Sequence, residues 1–192
     1  MNKRILREIF LEKRLSMSPK EWNRRNDLMI SAFFKEVDLS DIKVLHTFLP
    51  IKKKREPDTW KLVNKLWENY PDILVAVSKT LWKARSMKNY ILTDRNHVVE
   101  NGMGIPEPAS GSIIDDSTID MVLVPLITFD KAGNRLGYGK GFYDAFFNTC
   151  RKDALKVGLS LSTPLDHIPY MEAHDIKLDK CVTPYGVMNF TI

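Results

Sequence analysis

Apolar and polar positions alternate along this chain with two different periods, and the changes of period predict helices separated by strands. Residues 3–15 repeat every three to four positions, which predicts a helix whose buried face carries Ile5, Leu6, Ile9 and Phe10. Shorter runs rich in branched apolar residues lie further along the chain, and such runs are typical of strands. The pattern is therefore that of a mixed α/β protein.

The other elements follow from equally local signals. Ser18-Pro19-Lys20-Glu21 is a capping box with proline at the first helical position, and it predicts a second helix that runs to about Phe34. A third helix is expected from residues 57–59 to about Asn69. Strands are expected at residues 43–49, 73–77, 88–93, 121–125, 155–159 and 187–192, and an irregular loop at residues 94–118. Helices that alternate with strands predict a single α/β domain over residues 1–192, a three-layer sandwich with a mostly parallel sheet and helices on both faces.

Composition narrows the class of protein. Hydrophobic residues make up 44% of the chain and charged residues 28%, and no apolar run approaches the roughly 18 residues of a membrane span. Cys150 and Cys181 are isolated and lack metal-ligand spacing, so a reduced, cytoplasmic protein without a signal peptide is expected. The net charge is +5, and residues 1–25 carry eight basic against three acidic side chains. A basic N-terminal segment is compatible with binding of nucleic acid, with binding of an anionic small molecule, or with a helix face that is simply exposed to solvent.

The densest candidate chemistry lies in residues 133–144, which hold four of the nine glycines together with Arg135 and Lys140. This stretch follows the apolar run 119–127 and leads into 142–147, which has a helical pattern. A strand, a glycine loop and a helix in this order form the usual setting of a nucleotide site, because open backbone amides beside fixed cations suit a polyphosphate. The glycine spacing matches neither the P-loop nor the dinucleotide fingerprint, so spacing alone leaves open a tight turn without a ligand.

Read together with its flanks, the segment Phe129-Asp130-x-x-Gly133-Asn134-Arg135-Leu136-Gly137-x-Gly139-Lys140-Gly141-Phe142-Tyr143-Asp144 resembles the signature of the 5-formyltetrahydrofolate cyclo-ligase family. The resemblance implies that ATP binds at this loop, with Lys140 and Arg135 as catalytic cations, and that a Lys-x-x-Leu-Arg element in the first helix contributes further contacts. Tyr138 stands where some members carry arginine. The implied ATP-binding residues are Lys3, Arg7, Arg135, Leu136, Gly137, Tyr138, Gly139, Lys140, Gly141, Phe142 and Tyr143.

Two further segments resemble parts of the same family. Glu56-Pro57-Asp58-Thr59 is similar to a Glu-x-x-Thr segment whose glutamate contacts the folate pterin, and residues 104–108 are similar to an Ile-Pro-x-Pro pocket loop. A carboxylate suits the pterin because it can accept two N–H bonds from the guanidine-like edge. The resemblance implies Mg²⁺ on Asp144 and Asp179, which is consistent with the one or two carboxylates that magnesium usually takes. The implied substrate-binding residues are Leu49, Glu56, Ile105 and Tyr143.

The resemblance implies an enzyme that cyclises 5-formyltetrahydrofolate to 5,10-methenyltetrahydrofolate with ATP and releases ADP and phosphate. It also implies a monomer with a reduced folate as its substrate and with neither nucleic acid nor membrane as a partner. The residues alone support only an anion-binding α/β protein. Two alternatives remain. One is a nucleic-acid-binding module based on residues 1–25 and 52–55, although the run 52–55 lacks interleaved aromatic side chains, and the other is a small-molecule kinase.

Overall fold

The computed structural model describes residues 2–169, 171–172 and 175–190. Single-turn 3₁₀ helices lie at Lys52–Lys54, Arg95–His97 and Asp116–Thr118. The helices and strands are, in chain order, α1 (Lys3–Leu15), α2 (Pro19–Glu36), β1 (Val44–Thr47), α3 (Thr59–Asn69), β2 (Leu74–Leu81), β3 (Ser86–Ile91), β4 (Val98–Glu100), β5 (Pro106–Pro108), β6 (Met121–Pro125), β7 (Thr128–Phe129), β8 (Arg135–Leu136), α4 (Phe142–Phe147), β9 (Leu155–Leu159), β10 (Lys180–Thr183) and β11 (Gly186–Asn189).

Seven strands form the main sheet in the order β11-β10-β9-β6-β1-β2-β3. The five inner strands are parallel to one another, whereas β3 and β11 pair with their neighbours in antiparallel fashion. Leu45 in β1 pairs with Val75 on one side and with Met121 on the other, which sets the register at the centre of the sheet. The predicted α/β fold with a mostly parallel sheet is therefore confirmed.

Apolar side chains cover both faces of this sheet. On one face, Phe33 of α2 and Leu62 and Leu66 of α3 pack in one cluster with inward-facing strand residues. On the other face, Phe146 and Phe147 of α4 pack against strand residues of the opposite parity. Because strand side chains alternate between faces, the two clusters occupy separate layers. The predicted placement of helices on both faces is confirmed.

The start of α2 shows how a local sequence signal fixes an element. The Ser18 hydroxyl accepts a hydrogen bond from the Glu21 amide at 3.1 Å, and this bond satisfies one of the helix's otherwise unpaired donors. The helix continues two residues beyond the predicted end at Phe34. The predicted bounds of α1, β6 and β9 agree with the structure residue for residue.

The predicted buried face of α1 is wrong for two of its residues. Ile5 is 36% exposed and Ile9 is 43% exposed, whereas Leu6 is buried. The reason is that α1 does not pack against the main sheet. It lies on a small separate cluster with Leu136 and Ile168, which turns a different side of the helix inward.

The strand predictions also need correction. β2 extends to Leu81 because it forms a hairpin with β3, and residues 94–118, predicted as a loop, contain the short hairpin β4–β5. β10 is not among the predicted strands, since its four residues show no alternation of polar and apolar positions. The strand predicted at 187–192 ends at Asn189, and residues 191–192 lie outside the described residues. None of the helices in the described part of the chain has the length and apolarity that a membrane crossing requires.

Candidate anion-binding site

The glycine loop begins at a turn that one buried carboxylate holds in shape. Asp130 is fully buried after β7, and its Oδ1 accepts the amides of Ala132 and Asn134, both at 3.0 Å. Its Oδ2 accepts the Asn134 side-chain amide at 2.9 Å and the Ile168 amide at 2.9 Å. Four donors on one carboxylate fix the path of the chain into β8 and the glycines beyond it.

Arg135 is anchored between the loop and α4. Its Nη2 donates to Asp144 Oδ1 at 2.6 Å, and its Nη1 donates to the Ile176 carbonyl. The guanidinium lies 5.0 Å from the centroid of the Phe147 ring, and only 7% of the side chain is exposed. The structure therefore brings the predicted Arg135 and Asp144 together, and their ion pair holds the loop against the helix, while the catalytic role of Arg135 stays a prediction.

Lys140 is, in contrast, an exposed cation at the edge of a cavity. It makes no hydrogen bond or ion pair with any other described residue. With Gly139 and Phe142 it lines a cavity of about 350 Å³, which Trp82 and Arg85 also line. The Trp82 and Phe142 rings meet edge to face at 5.1 Å. The cavity thus combines aromatic surface with two cationic side chains, which suits an anion that carries a planar group.

Sequence reasoning missed Trp82 and Arg85. Both lie in the turn between β2 and β3, about fifty residues before the glycine loop, and Arg85 has a left-handed backbone with φ of 50°. Nothing local to that hairpin distinguishes it from an ordinary exposed turn. Only the order of strands in the sheet brings it next to the loop.

Helix α1 presents its basic side chains to the glycine loop. Arg7 Nε donates to the Gly137 carbonyl at 2.9 Å. Gly139 has φ of 82°, and a Cβ added there would lie only 3.0 Å from Arg7 Cζ, so the lack of a side chain allows this close approach. Lys3 Nζ donates to Asp175 Oδ2 at 2.8 Å. Lys3, Arg7 and Arg14 form a basic stripe along α1, and this stripe lies against the protein and beside the loop.

Arg14, the third member of the stripe, takes part in a buried polar chain. It is 5% exposed; its Nη1 donates to the Leu126 carbonyl at 3.0 Å and its Nη2 to the Tyr138 hydroxyl at 2.6 Å. The Tyr138 hydroxyl in turn donates to Glu56 Oε1 at 2.5 Å. The Lys54 ammonium lies 4.0 Å from the centroid of the Tyr138 ring. Three segments far apart in sequence thus meet at one tyrosine.

Glu56 is a buried carboxylate with fixed geometry. It is 3% exposed, its Oε2 accepts the Ile51 amide at 2.7 Å, and its carbonyl accepts the Trp22 indole N–H at 3.2 Å. Burial raises the pKa of Glu56, and the hydrogen bond from Tyr138 is the largest influence in the opposite direction. Glu56 thus carries a carboxylate that is shielded from water and bordered by hydrogen-bond donors.

The remaining predicted substrate-binding residues fall in two places. Leu49 is buried just after β1, on the segment that leads to Glu56. Tyr143 lies in the first turn of α4, where burial raises its pKa and the charge of Glu56 raises it further. Ile105 lies just before β5, and its amide donates to Asn101 Oδ1 at 3.2 Å. The Glu107 carboxylate joins that strand to the Thr80 amide at the end of β2, at 3.5 Å.

The two predicted magnesium ligands have different surroundings. Asp144 is 30% exposed at its side chain, and its Oδ2 accepts no hydrogen bond from the described residues, so this oxygen fits a hard cation next to the glycine loop. Asp179 precedes β10, and its Oδ2 accepts the Lys156 amide at 2.7 Å and the Lys156 ammonium at 3.2 Å. No cluster of three or more His, Cys, Asp or Glu residues occurs within the described ranges. The role of Asp179 as a ligand stays a prediction.

His46 lies beneath α4 and is fully buried in β1. Its Nε2 is 2.6 Å from the Ser78 hydroxyl, which donates to Asn89 Oδ1 at 2.6 Å. Its ring is 4.8 Å from that of Phe146. Burial lowers the pKa of His46 to about 3, so the imidazole is neutral at physiological pH. It serves as a polar but uncharged support for the helix that follows the glycine loop.

These features define a class of protein: an α/β protein whose glycine loop, flanked by basic side chains, lies between the short antiparallel β7–β8 hairpin and the short helix α4. Comparison with known proteins narrows the class to one family. The model of the 5-formyltetrahydrofolate cyclo-ligase family matches residues 1–184. The chain therefore belongs to this family, and the resemblance noted in the glycine loop is confirmed over the chain as a whole.

Individual relatives agree with this assignment. The mitochondrial 5-formyltetrahydrofolate cyclo-ligase of Arabidopsis thaliana is 26% identical over 215 residues, which cover 98% of this chain and 76% of the relative. The 5-formyltetrahydrofolate cyclo-ligase of Escherichia coli K12 is 30% identical over 135 residues, or 69% of this chain and 74% of the relative. The family and its named members are enzymes of the ligase class.

Solved structures give the same result for the fold. The NMR structure of Aquifex aeolicus 5,10-methenyltetrahydrofolate synthetase superposes with a TM-score of 0.85 at 27% identity and covers 100% of this chain and 94% of that one. A methenyltetrahydrofolate synthetase from Mycoplasma pneumoniae, 22% identical with a TM-score of 0.76, shares the fold and covers 96% of this chain and 99% of that one.

Proposed function

We propose that this chain catalyses the ATP-dependent cyclisation of 5-formyltetrahydrofolate to 5,10-methenyltetrahydrofolate, with release of ADP and phosphate. Besides the family, one observation carries the proposal. The Tyr138 hydroxyl of the glycine loop lies 2.5 Å from the buried Glu56 carboxylate. A reaction that moves a phosphoryl group onto a formyl group next to a pterin needs its phosphate loop and its pterin-binding carboxylate side by side, and this contact joins them.

The first step is transfer of the γ-phosphoryl group of ATP to the formyl oxygen. The bond between phosphorus and the ADP oxygen breaks, and a bond between phosphorus and the formyl oxygen forms. The protein's work in such a step is to hold the two substrates and to balance charge. Lys140 is the exposed cation placed to follow the transferred phosphoryl group, while Arg7 supplies a second positive charge beside the Gly137 carbonyl.

The second step is ring closure within the substrate. N10 attacks the formyl carbon, the bond from that carbon to the phosphorylated oxygen breaks, phosphate leaves, and the N10 proton passes to solvent. Phosphorylation matters because an unactivated formamide oxygen is a poor leaving group. Holding N10 against the formyl carbon lowers the barrier further, since fixed intramolecular geometry is worth up to about 7–11 kcal/mol. We assign this holding role to Leu49, Glu56, Ile105 and Tyr143.

We propose that the reaction uses Mg²⁺ and that two aspartates bind it. Asp144, which is bonded to Arg135 through Oδ1 and keeps Oδ2 for a further partner, would hold the ion, with Asp179 as the second predicted carboxylate. A bound Mg²⁺ would neutralise charge on the phosphate oxygens. Arg135, which we also propose as a catalytic cation, donates to Asp144 and to the Ile176 carbonyl, and these bonds orient the carboxylate that would hold the ion.

An isotope experiment tests the reaction and its order of steps together. 5-Formyltetrahydrofolate labelled with ¹⁸O in the formyl group is incubated with the protein, ATP and magnesium. The proposal requires that every methenyl product is accompanied by one phosphate carrying the label, because the formyl oxygen leaves bound to phosphorus. Unlabelled phosphate would contradict the phosphoryl transfer. A stable phosphorylated folate without free phosphate would instead favour the small-molecule kinase.

The proposal also covers the oligomeric state, the location and the partners of the enzyme. We infer a monomer that acts on reduced folate in the cytoplasm, without nucleic acid or membrane as a partner. The free cysteines Cys150 and Cys181 fit a reducing compartment, because disulfides are rare there. Salt-sensitive binding of RNA by the basic segments, without stabilisation by ATP, would favour the nucleic-acid-binding alternative.

A further inference from the structure

We propose that Tyr138 is a positioning residue that links the glycine loop to the folate site: it holds Glu56 in the orientation that binds the pterin, and Arg14 holds Tyr138. This inference rests on the proposed function and deepens it. The geometry that carries it is the hydrogen-bonded chain from Arg14 to Tyr138 to Glu56, with bonds of 2.6 and 2.5 Å. One end lies on the helix that contacts the glycine loop, and the other is the buried carboxylate.

The direction of the hydrogen bonds is set by chemistry. A guanidinium has donors only, so Arg14 must donate to the Tyr138 oxygen. The single proton of the hydroxyl is then left for Glu56, and the carboxylate must accept it. Arg14 itself cannot swing away easily, because its other terminal nitrogen donates to the Leu126 carbonyl at 3.0 Å and its side chain is buried. The chain therefore has one consistent arrangement, anchored at the end of β6.

The carboxylate keeps capacity for a ligand while Tyr138 is in place. An ionised carboxylate offers about four lone-pair sites, two on each oxygen. Tyr138 occupies one site on Oε1 and the Ile51 amide occupies one on Oε2. One site remains on each oxygen, and that is the pair of acceptors needed for the two N–H groups on the edge of a pterin. Tyr138 thus orients Glu56 without competing for both of its oxygens.

Several charged or titratable groups face this carboxylate. Arg14 approaches from α1, Lys54 from the turn at Lys52–Lys54, and Tyr138 and Tyr143 from the glycine loop and α4. Burial raises the pKa of Glu56, and the Tyr138 hydrogen bond opposes burial more strongly than either cation does. Removing the hydroxyl should therefore move this pKa further up. Folate binding that needs the ionised carboxylate would then require a higher pH.

The test is the affinity for 5-formyltetrahydrofolate measured by calorimetry in wild type and in Tyr138→Phe, without ATP, over a range of pH. Loss of one hydrogen bond to a charged group should weaken binding about tenfold near pH 7. The variant's affinity should recover as pH rises, with a midpoint above that of wild type. Tyr185→Phe is the matched control, because Tyr185 is 65% exposed at the β10–β11 turn, and it should bind like wild type.

A double-mutant cycle distinguishes positioning of Glu56 by Tyr138 from a purely structural role of Tyr138. If Tyr138 acts through Glu56, then Tyr138→Phe should have no further effect on folate affinity in a Glu56→Gln background. A purely structural role would lower thermal stability and leave the pH midpoint unchanged. If Tyr138→Phe does not fold, Arg14→Lys serves instead. Lysine cannot span both the Leu126 carbonyl and the Tyr138 hydroxyl, so a smaller shift in the same direction is expected.

The possible outcomes distinguish this inference from the function on which it rests. If wild type binds the folate and Tyr138→Phe binds it equally well with the same pH midpoint, the inference is wrong and the proposed function stands. Equal effects of Tyr138→Phe in both backgrounds of the cycle also overturn it. If wild type binds no 5-formyltetrahydrofolate at any pH, the proposed function fails, and the inference fails with it.

Discussion

Replacement of Gly139 by alanine should destabilise the protein in two separable ways. First, the backbone at this position has φ of 82°, a left-handed conformation that costs a residue with a Cβ about 1–2 kcal/mol. Second, the new Cβ would lie 3.0 Å from Arg7 Cζ, so the guanidinium must move and its 2.9 Å bond to the Gly137 carbonyl weakens. A net loss of about 1 kcal/mol is typical for such a bond. The total is about 2–3 kcal/mol.

Urea denaturation of four proteins measures both parts: wild type, Gly139→Ala, Arg7→Ala and the double variant. With Arg7 shortened, only the backbone strain should remain, so Gly139→Ala should cost about 1 kcal/mol less in that background. Gly141→Ala is the matched control. Its φ is 74°, but no atom lies within 4 Å of an added Cβ, so its cost should be the same with or without Arg7.

Strict additivity between Gly139→Ala and Arg7→Ala would refute this reasoning, because it would mean that the two residues do not touch in solution. The same proteins report on function. Arg7→Ala should weaken ATP binding more than folate binding, since its charge lies beside the glycine loop. If neither affinity changes, the basic stripe of α1 serves packing alone.

Four further predictions concern single side chains. Lys140→Ala should retain its fold but lose about 2.7–4 kcal/mol of transition-state stabilisation, measured as turnover, and near-normal activity would remove Lys140 from the mechanism. Asp144→Asn and Asp179→Asn should each need more magnesium for activity than wild type, and a magnesium titration that overlays wild type would exclude that residue as a ligand. Asp144→Asn should also lower the melting temperature, because it leaves Arg135 without its charged partner. Glu56→Gln should weaken folate binding roughly five- to 150-fold while ATP-induced stabilisation persists, and an unchanged folate dissociation constant would place the pterin elsewhere. Because burial lowers the pKa of His46 to about 3, the unfolded state binds the extra proton first as pH falls below about 6.5, and this residue should lower the free energy of unfolding by about 2 kcal/mol by pH 5. His46→Gln should therefore lose less stability than wild type between these pH values, and parallel profiles of stability against pH would contradict the assignment.

Local signals in the sequence account for much of the fold. The capping box at Ser18 places the start of α2, and the apolar run 121–125 places the central strand, because in both cases neighbouring residues decide the outcome. The exposed Ile5 and Ile9 show where this reasoning fails. Their spacing is that of a buried face, but the surface on which α1 rests is assembled from residues more than a hundred positions away.

The candidate site also has one part that local sequence signals predict and another part that they do not. The glycine loop with Arg135 and Asp144 is a contiguous segment, so its composition and residue order are enough to indicate an anion. The contact of Tyr138 with Glu56 spans 82 positions, and the cavity wall formed by Trp82 comes from a separate hairpin. No periodicity or short motif encodes such contacts, because they depend on the order of strands in the sheet.

The proposed function is tested most directly by asking whether the purified protein forms 5,10-methenyltetrahydrofolate. Protein, ATP, magnesium and 5-formyltetrahydrofolate are mixed, and the absorbance of the methenyl product is followed together with released phosphate. If the proposed function is correct, absorbance grows only when ATP is present, with one phosphate per methenyl group, and Lys140→Ala nearly abolishes both signals. Methenyl formation that does not depend on ATP, or ATP hydrolysis without any methenyl product, would contradict it.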